Sequence, residues 1–192
     1  MKRRAIFLDR DGTLNREQGF VTGPEHLVVL PGVVEALDAL AACGYALVVL
    51  TNQSGIARGL YDERDLARVH DQLQEELGGR LDAFFHCPHH PDAHGHPYGG
   101  ECVCRKPKSG LLAQAVEVLG LDLRDSWLVG DSARDLLLGR GLPLSGVLLR
   151  CGKPWEAELA QLRAADLLPK EIVDDLPAAA SYITSQVVTA AG

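Results

Sequence analysis

Short apolar runs alternate with helix-like patterns along most of the chain. Runs rich in Val, Leu and Phe predict buried strands, and they cover residues 5–8, 45–50, 82–86, 127–129 and 147–149. Between them, apolar residues recur at helical spacing over residues 33–43, 62–77 and 111–119. Strands that alternate with helices predict βαβ units, and hence an α/β protein in which helices cover both faces of a central, mostly parallel sheet.

Polar residues follow four of these strands at the point where each strand ends. They are Asp9, Thr51, the His86-Cys87 pair and Asp131. In open parallel sheets, ligands bind beyond the carboxyl ends of the strands. We therefore expect these residues, although far apart in sequence, to meet at one rim of the sheet. The small apolar tail from Ala178 onward is expected to form a frayed helix.

Length and charge limit the architecture and exclude several partners. The 192 residues are expected to form a single domain, 1–192, with no room for more than a minimal cap. The net charge of −7 argues against nucleic acid and anionic membranes. No apolar run approaches the ~20 residues that span a bilayer, and the one after the basic start is too short for a signal peptide. We therefore expect a cytoplasmic monomer that binds neither nucleic acid nor a membrane.

The segment Asp9-Arg10-Asp11-Gly12-Thr13 follows the first strand directly and carries two carboxylates two residues apart. A carboxylate that attacks phosphorus forms an acyl phosphate, which water then hydrolyses, so Asp9 is a candidate nucleophile. Asp11 can protonate the leaving oxygen and later deprotonate the attacking water. An isolated Asp-Gly pair is typical of a solvated turn, but an apolar strand that ends at Asp9 favours the catalytic interpretation.

Three further segments offer partners for a phosphoryl group. The hydroxyl, amide and backbone N–H groups of residues 51–55 can bind its oxygens, although such a loop also caps helices. Lys106 can neutralise charge during displacement, although Arg105 and Lys106 could equally form a basic pair on the surface. Asp131 can share Mg²⁺ with Asp9, since magnesium prefers hard oxygen ligands. Asp135, one helical turn later, could simply orient the loop or cap a helix.

A His- and Cys-rich connection, residues 86–105, predicts a second metal site. Cys87 with His89, and Cys102 with Cys104, form two ligand pairs that suit a closed, structural, tetrahedral Zn²⁺ site. Zinc would order a loop that lacks a core of its own. Reduced thiols in a mobile loop are the alternative, and the rival imidazole ligands are His86, His90, His94 and His96. The isolated Cys43 and Cys151 are expected to be small buried apolar residues.

The order Asp-x-Asp-Gly-Thr, Thr-Asn, Lys and Gly-Asp-x-x-x-Asp, each at a strand end, resembles the haloacid dehalogenase (HAD) superfamily of phosphatases. The resemblance runs from Phe7 to Asp135. It implies a Rossmann-like three-layer sandwich with Asp9 as nucleophile and Asp11 as acid/base. It further implies that Mg²⁺ is held by the Asp9 carboxylate, the Asp11 carbonyl and Asp131, and that Thr51 and Lys106 hold the phosphoryl group.

Longer motifs, Phe7 to Thr13, Thr51 to Gly59 and Cys-x-His…Cys-x-Cys-Arg-Lys-Pro, resemble a narrower family, the D-glycero-D-manno-heptose 1,7-bisphosphate 7-phosphatases. That resemblance implies removal of the C7 phosphate during synthesis of ADP- or GDP-heptose for the lipopolysaccharide core. The substrate-lining residues that it implies are Glu17, Gln18, Gly19, Phe20, Thr51, Asn52, Gln53, Ser54, Arg105 and Lys106. Ser132 departs from the pattern, which often has Lys there, so substrate preference is open at that position.

Other functions share parts of these patterns. Histidinol-phosphate phosphatases are close relatives, but a zwitterionic substrate favours acidic partners, whereas Arg58 and Arg105 suit a bisphosphate. A receiver-like phospho-acceptor domain also uses an Asp, a Thr or Ser and a Lys on a parallel sheet, but Asp11 and the predicted zinc loop argue against it. A zinc-bearing nucleic-acid module is disfavoured by the negative charge and by the lack of an aromatic and basic patch.

Overall fold

One parallel sheet organises the chain. The computed structural model describes residues 2–190, with side chains as far as Val187. Six strands pair in the order β3-β2-β1-β4-β5-β6, and every pairing is parallel. The strands are β1 (Arg3–Leu8), β2 (Ala46–Asn52), β3 (Ala83–Cys87), β4 (Leu121–Gly130), β5 (Ser145–Leu149) and β6 (Glu171–Val173). The predicted α/β sandwich with a parallel sheet is therefore confirmed.

Helices cover both faces of the sheet because side chains alternate along each strand. Ile6 and Leu8 face a core that includes α1, α2 and α6, whereas Ala5 and Phe7 face a second core built with α3. The helices are α1 (Val33–Ala42), α2 (Glu63–Glu76), α3 (Gly110–Leu119), α4 (Ala133–Leu137), α5 (Trp155–Ala164) and α6 (Leu176–Ala190). A short 3-10 helix spans Pro24–His26. Among the described helices, none is long and apolar enough to cross a membrane.

Local signals explain several helix ends. Asp62 is the N-cap of α2, and its carboxylate accepts from the N–H groups of Arg64 and Asp65 while Asp65 returns a bond to its backbone. Gly120 ends α3 in the left-handed conformation, with a φ of 64°. Asp62 begins the periodic segment 62–77 and Gly120 follows the segment 111–119, so both boundaries agree with the sequence pattern.

The sequence pattern missed elements that are short or weakly periodic. The helices α4 and α5 and the edge strand β6 were not predicted, and β4 starts earlier than expected. The frayed-helix expectation for the tail was wrong in the described residues, because Ala179, Ala180 and Ile183 of α6 are buried against the core that contains α1. The last two residues of that tail lie outside the described part.

Candidate active site

Asp9 lies directly after the central strand β1, at the edge where β2 and β4 also end. Its N–H donates to the Val129 carbonyl at 3.0 Å, which continues the β1–β4 ladder into the site. Its carboxylate Oδ1 accepts from the backbone N–H of Arg10 and from Lys106 Nζ, both at 2.8 Å. The strand therefore fixes the backbone of Asp9, and two donors fix one of its oxygens.

Three carboxylates converge at this edge. Oxygen atoms of Asp9, Asp131 and Asp135 all lie within 4.8 Å of one another. A Cβ atom added at Gly12 or at Gly152 would come within 2.2 Å of Asp131 Oδ2, and both glycines have a positive φ. The two glycines therefore let two loops close over the Asp131 carboxylate, which a larger residue would obstruct.

Lys106 is a buried cation between two of these carboxylates. Its Nζ lies 2.8 Å from Asp9 Oδ1 and 2.7 Å from Asp135 Oδ1, and it donates to the Leu50 carbonyl at 2.7 Å. The Asn52 amide holds the Lys106 backbone, since Lys106 N–H donates to Asn52 Oδ1 at 3.0 Å and Asn52 Nδ2 donates to the Lys106 carbonyl at 3.2 Å. The end of β2 thus sets the position of Lys106.

Asp11 belongs to a separate hydrogen-bond network. Arg10, which is fully buried, forms an ion pair with Asp11 through Nε and Nη2 at 2.9–3.2 Å. Asn15 Nδ2 donates to Asp11 Oδ1 at 2.9 Å, and Gln53 Nε2 donates to Asp11 Oδ2 at 3.0 Å. Gln53 also donates to Thr51 Oγ1 at 2.8 Å. These contacts restrain the carboxylate of Asp11 and the hydroxyl of Thr51 together.

Burial and mutual repulsion shift the acidic groups. Burial and then the Asp135 charge raise the pKa of Asp9 to about 6, against the opposing effect of Lys106. Burial and then the Asp9 charge raise the pKa of Asp131 to about 7. Burial would also raise the pKa of Asp11, but Arg10 and the donated hydrogen bonds outweigh it and lower that pKa. The two aspartates of the first motif therefore differ in acidity.

The acidic edge opens into a polar pocket of about 140 Å³. Most of the predicted substrate residues line it: Glu17, Gly19, Phe20, Thr51, Asn52, Gln53, Ser54 and Lys106. Two others do not. Gln18 turns back to donate to the His26 carbonyl. Arg105 donates through Nη1 to the His89 carbonyl at 3.2 Å, next to the cysteine loop.

The predicted sulfur ligands also come together. The Sγ atoms of Cys87, Cys102 and Cys104 lie 3.0–3.6 Å apart, and His89 Nδ1 lies 3.8 Å from Cys87 Sγ and 3.5 Å from Cys104 Sγ. Four ligands around a tetrahedral Zn²⁺ with bonds of about 2.3 Å would lie roughly 3.8 Å apart. The donor set and its spacing therefore fit zinc. We call these four residues the sulfur cluster.

Three of the rival histidines have other partners. His86 Nε2 pairs with Glu63 at 2.6 Å, and His90 Nε2 contacts Arg58 Nη2 at 2.8 Å. His96 Nδ1 accepts from the backbone N–H of Tyr98 at 3.1 Å. His89 is thus the imidazole that faces the sulfur atoms in the described chain.

Sequence reasoning missed several polar residues at the site. Lys153 donates to both oxygens of Asp131 at 2.7 and 2.8 Å, and Arg134 lines the pocket. Tyr61 donates to Gln53 Oε1 at 2.6 Å. Lys153 follows β5, and no site residue was predicted after that strand. Tyr61 and Arg134 have no comparable signal in the sequence.

Comparisons with known proteins agree with this geometry. Residues 103–179 match a family model described as HAD-hydrolase-like. The chain is 44% identical over 156 residues to a D-glycero-beta-D-manno-heptose-1,7-bisphosphate 7-phosphatase of Pasteurella multocida (strain Pm70), covering 79% of this chain and 84% of the relative. A relative of the same name from Escherichia coli (strain K12) is 38% identical over 174 residues, covering 88% and 90% of the two chains.

A solved structure of a D,D-heptose 1,7-bisphosphate phosphatase from B. bronchiseptica, complexed with magnesium and phosphate, matches with a TM-score of 0.80 and 34% identity. The match covers 95% of this chain and 99% of that one. Identity at this level over most of both chains shows the family that the motifs indicated. The chain belongs to the D-glycero-beta-D-manno-heptose-1,7-bisphosphate 7-phosphatases of the HAD-like hydrolases.

Proposed function

We propose that this protein is a Mg²⁺-dependent phosphatase that removes the C7 phosphate of D-glycero-D-manno-heptose 1,7-bisphosphate through a phosphorylated Asp9. The product would supply nucleotide-activated heptose for the lipopolysaccharide core. The proposal treats residues 1–192 as one cytoplasmic, monomeric phosphatase domain. It rests on the family membership and on one arrangement above all, the buried Lys106 between Asp9 and Asp135 beside Asp131.

Asp9 has one oxygen held and one oxygen free for attack. Within the described chain, its hydrogen bonds fall on Oδ1, which leaves Oδ2 to face the phosphorus atom. Attack by Oδ2 forms the acyl phosphate and expels the sugar oxygen, and water then hydrolyses the acyl phosphate. Lys106 stays charged because Asp135 and Asp9 raise its pKa although burial opposes this, so it can neutralise phosphoryl charge throughout.

Asp11 is held in its ionised form by Arg10, Asn15 and Gln53. This form suits the second half-reaction, in which Asp11 takes a proton from the attacking water. For the first half-reaction, Asp11 must exchange one of these donors for a proton before it can protonate the leaving sugar oxygen. The rearrangement would follow substrate entry, because Gln53 lines the pocket as well as contacting Asp11.

Carboxylate oxygens at this edge fit a magnesium ion, which prefers hard oxygen ligands and keeps several waters. Asp9 and Asp131 would hold it through their carboxylates and Asp11 through its backbone carbonyl, with Asp135 within reach. When bound, Mg²⁺ supplies charge neutralisation for the three carboxylates and for the phosphoryl oxygens. Thr51 would hold the phosphoryl group from the β2 side of the pocket.

A cluster of guanidinium groups supports a bisphosphate substrate. Arg105 donates to the His89 carbonyl, Arg58 contacts the neighbouring His90, and Arg134 lines the pocket. Burial lowers the pKa of Arg105, and the charges of Arg134 and Arg58 lower it further. Among the described residues, none forms a carboxylate ion pair with Arg58, Arg105 or Arg134, and such unpaired guanidinium groups suit a second phosphate. Glu17 to Phe20 and Asn52 to Ser54 would contact the sugar, and the exposed ring of Phe20 lies at the pocket mouth.

The sulfur cluster would bind a structural Zn²⁺ that orders residues 86–105. Arg105 N–H donates to Cys102 Sγ at 3.4 Å, and Lys106 follows directly. Order in this loop is therefore transmitted to Arg105 and, through it, to Lys106 in the active site.

Phosphate release from heptose 1,7-bisphosphate and from histidinol phosphate, at fixed Mg²⁺, tests the substrate. We expect kcat/KM to favour the bisphosphate by at least about a hundredfold, which is less than the roughly 10⁴-fold that a site built to hydrogen-bond a polar group can reach. Arg105→Met should raise KM for the bisphosphate, whereas Arg150→Met, at an exposed arginine paired with Asp174, should not.

Two results would contradict the proposal. Equal or better turnover of histidinol phosphate would overturn the substrate. A single stoichiometric release without further turnover would indicate a phospho-acceptor domain instead of an enzyme.

A further inference from the structure

Lys153 occupies a position in the acidic centre to which the catalytic scheme assigns no role. It follows β5 and the tight turn at Gly152, whose φ is 90°. Its Nζ donates to both oxygens of the fully buried Asp131 carboxylate, at 2.7 and 2.8 Å. The same Nζ lies 3.6 Å from Glu17 Oε2, on the wall of the pocket.

A divalent cation on Asp131 and the Lys153 ammonium compete for the same two oxygen atoms. Magnesium needs an Asp131 oxygen at about 2.1 Å with near-ideal octahedral geometry. An ammonium that bonds both oxygens lies across that approach, and two cations so close repel each other strongly where the surroundings exclude water. The packing of Gly12 and Gly152 against Asp131 leaves the carboxylate little room to turn away.

We propose that Lys153 is a positioning residue that holds Asp131 when the metal is absent and moves to the pocket mouth when the metal binds. The flexible four-carbon stem of lysine permits that movement, and Glu17 provides the carboxylate that receives the ammonium. At the mouth, Lys153 adds a cation for the phosphorylated substrate. The substrate part of this inference rests on the proposed function, whereas the exchange with the metal does not.

Titration with Mg²⁺ in the absence of substrate tests the exchange, with binding followed by calorimetry and by the unfolding temperature. Lys153→Met removes the competing ammonium, so we expect Mg²⁺ to bind about tenfold more tightly, as for the loss of one partly buried ion pair. The metal-free variant should unfold at a lower temperature, because Asp131 stays buried without a partner. Added Mg²⁺ should raise its unfolding temperature more than that of the wild type.

A variant that keeps the positive charge should not bind Mg²⁺ more tightly. The guanidinium of Lys153→Arg can pair with a carboxylate through two parallel hydrogen bonds, so Mg²⁺ should bind no more tightly than to the wild type. Lys170→Met makes the same change at an exposed lysine before β6 and should leave Mg²⁺ affinity unchanged. If Lys153→Met does not fold, unchanged or weaker Mg²⁺ binding by Lys153→Arg still supports the exchange, and tighter binding overturns it.

Steady-state kinetics tests the second position of Lys153. At saturating Mg²⁺, we expect Lys153→Met to raise KM for the bisphosphate about tenfold with kcat changed less than threefold. Unchanged or weaker Mg²⁺ binding by Lys153→Met would overturn the exchange, and an unchanged KM would overturn the role at the mouth. Since the titration contains no substrate, failure of the proposed function leaves its result intact.

Discussion

The acidic centre and the sulfur cluster collect ligands in opposite ways. The acidic centre joins Asp9 to Asp131 and Asp135 from a distant part of the chain, whereas the sulfur cluster comes from the single connection 87–104. In the acidic centre, two lysines already bond the carboxylates. In the sulfur cluster, the three Sγ atoms mostly face one another, and the donors that the described chain adds, such as Arg105 N–H, come from the backbone.

This difference predicts different responses to metal removal. The sheet and the lysines hold the acidic centre without an ion, so losing Mg²⁺ should stop chemistry and leave the fold intact. Cys87 ends β3, and the other members of the sulfur cluster lie in the segment between β3 and α3, which contains no helix or strand. Losing Zn²⁺ should therefore disorder that segment and lower stability. The two regions adjoin at two consecutive residues: Arg105 contacts the sulfur cluster, and Lys106 contacts the acidic centre.

Asp9→Asn is expected to have the largest effect and to act on the acidic centre alone. An amide cannot form the acyl phosphate, so kcat should fall by at least about a thousandfold. Asparagine preserves the shape of the side chain and relieves repulsion among the three carboxylates, so the unfolding temperature should not fall. Phosphate release and thermal unfolding measure the two effects.

Zinc content is the control for this variant. The zinc-to-protein ratio of Asp9→Asn should equal that of the wild type, because Asp9 contributes no ligand to the sulfur cluster. More than about a thousandth of the wild-type rate would be too much for a lost nucleophile and would count against the role of Asp9.

Cys102→Ser is expected to act mainly on the sulfur cluster, through zinc content and stability. The hydroxyl is a poor replacement for a thiolate on zinc, so zinc content should fall and the free energy of unfolding should drop by several kcal/mol, a fraction of the binding energy of a structural zinc. Elemental analysis and urea unfolding measure both. Cys43→Ser, at a half-buried cysteine outside the cluster, is the matched control. An unchanged zinc ratio in Cys102→Ser would show that the ligand set is wrong.

The sequence predicts most of the fold and much of the candidate site because the relevant signals are local. A strand that ends in Asp9, an N-cap at Asp62 and a left-handed glycine at Gly120 each depend on a few adjacent residues. The topology of a parallel sheet then brings the strand ends together, and this places Asp131 near Asp9 without any knowledge of coordinates.

The parts that the sequence did not reveal depend on distant pairings. Nothing near Lys153 indicates that its ammonium reaches Asp131, and nothing near Asn52 indicates that its amide holds Lys106. Asn52 was predicted to contact the substrate, and that contact stays a prediction. What the structure shows is that its amide bonds the Lys106 backbone. The α6 helix packs into the core through small alanines, whose burial a hydropathy pattern does not distinguish from a frayed end.

Asn52→Ala tests the contact that joins the two regions. The change leaves the N–H and the carbonyl of the buried Lys106 without their partner, so stability should fall by about 1–3 kcal/mol. A displaced Lys106 should also lower kcat about tenfold while KM changes little. The alternative, direct contact with the sugar, would raise KM and leave stability unchanged. Gln72→Ala, on the exposed face of α2, is the control for loss of a polar side chain.

His70→Gln is expected to have the smallest effect, and it tests the protonation state of a buried histidine whose charge would act on Arg10 and Asp11. His70 is buried on α2 and stacks on Phe84 with ring centroids 4.5 Å apart. Burial and then the charge of Arg10 lower the pKa of His70 to about 3 from its ordinary 6.5. The folded protein therefore keeps His70 neutral at pH values where the unfolded chain takes up a proton.

The sign follows from that difference in proton binding. A lowered folded pKa costs no stability above pH 6.5, and it costs progressively more as pH falls from 6.5 toward 3. Between pH 7.5 and 5.5, the wild type should lose about 1.4 kcal/mol more than His70→Gln in urea unfolding, whereas His26→Gln, at an exposed histidine, should behave as the wild type. Equal pH dependence in wild type and His70→Gln would mean that His70 takes up its proton as readily in the folded protein as in the unfolded chain. Below about pH 6.5, the Arg10–Asp11 pair would then lie beside a charged His70 on α2, and that charge would help to lower the pKa of Asp11.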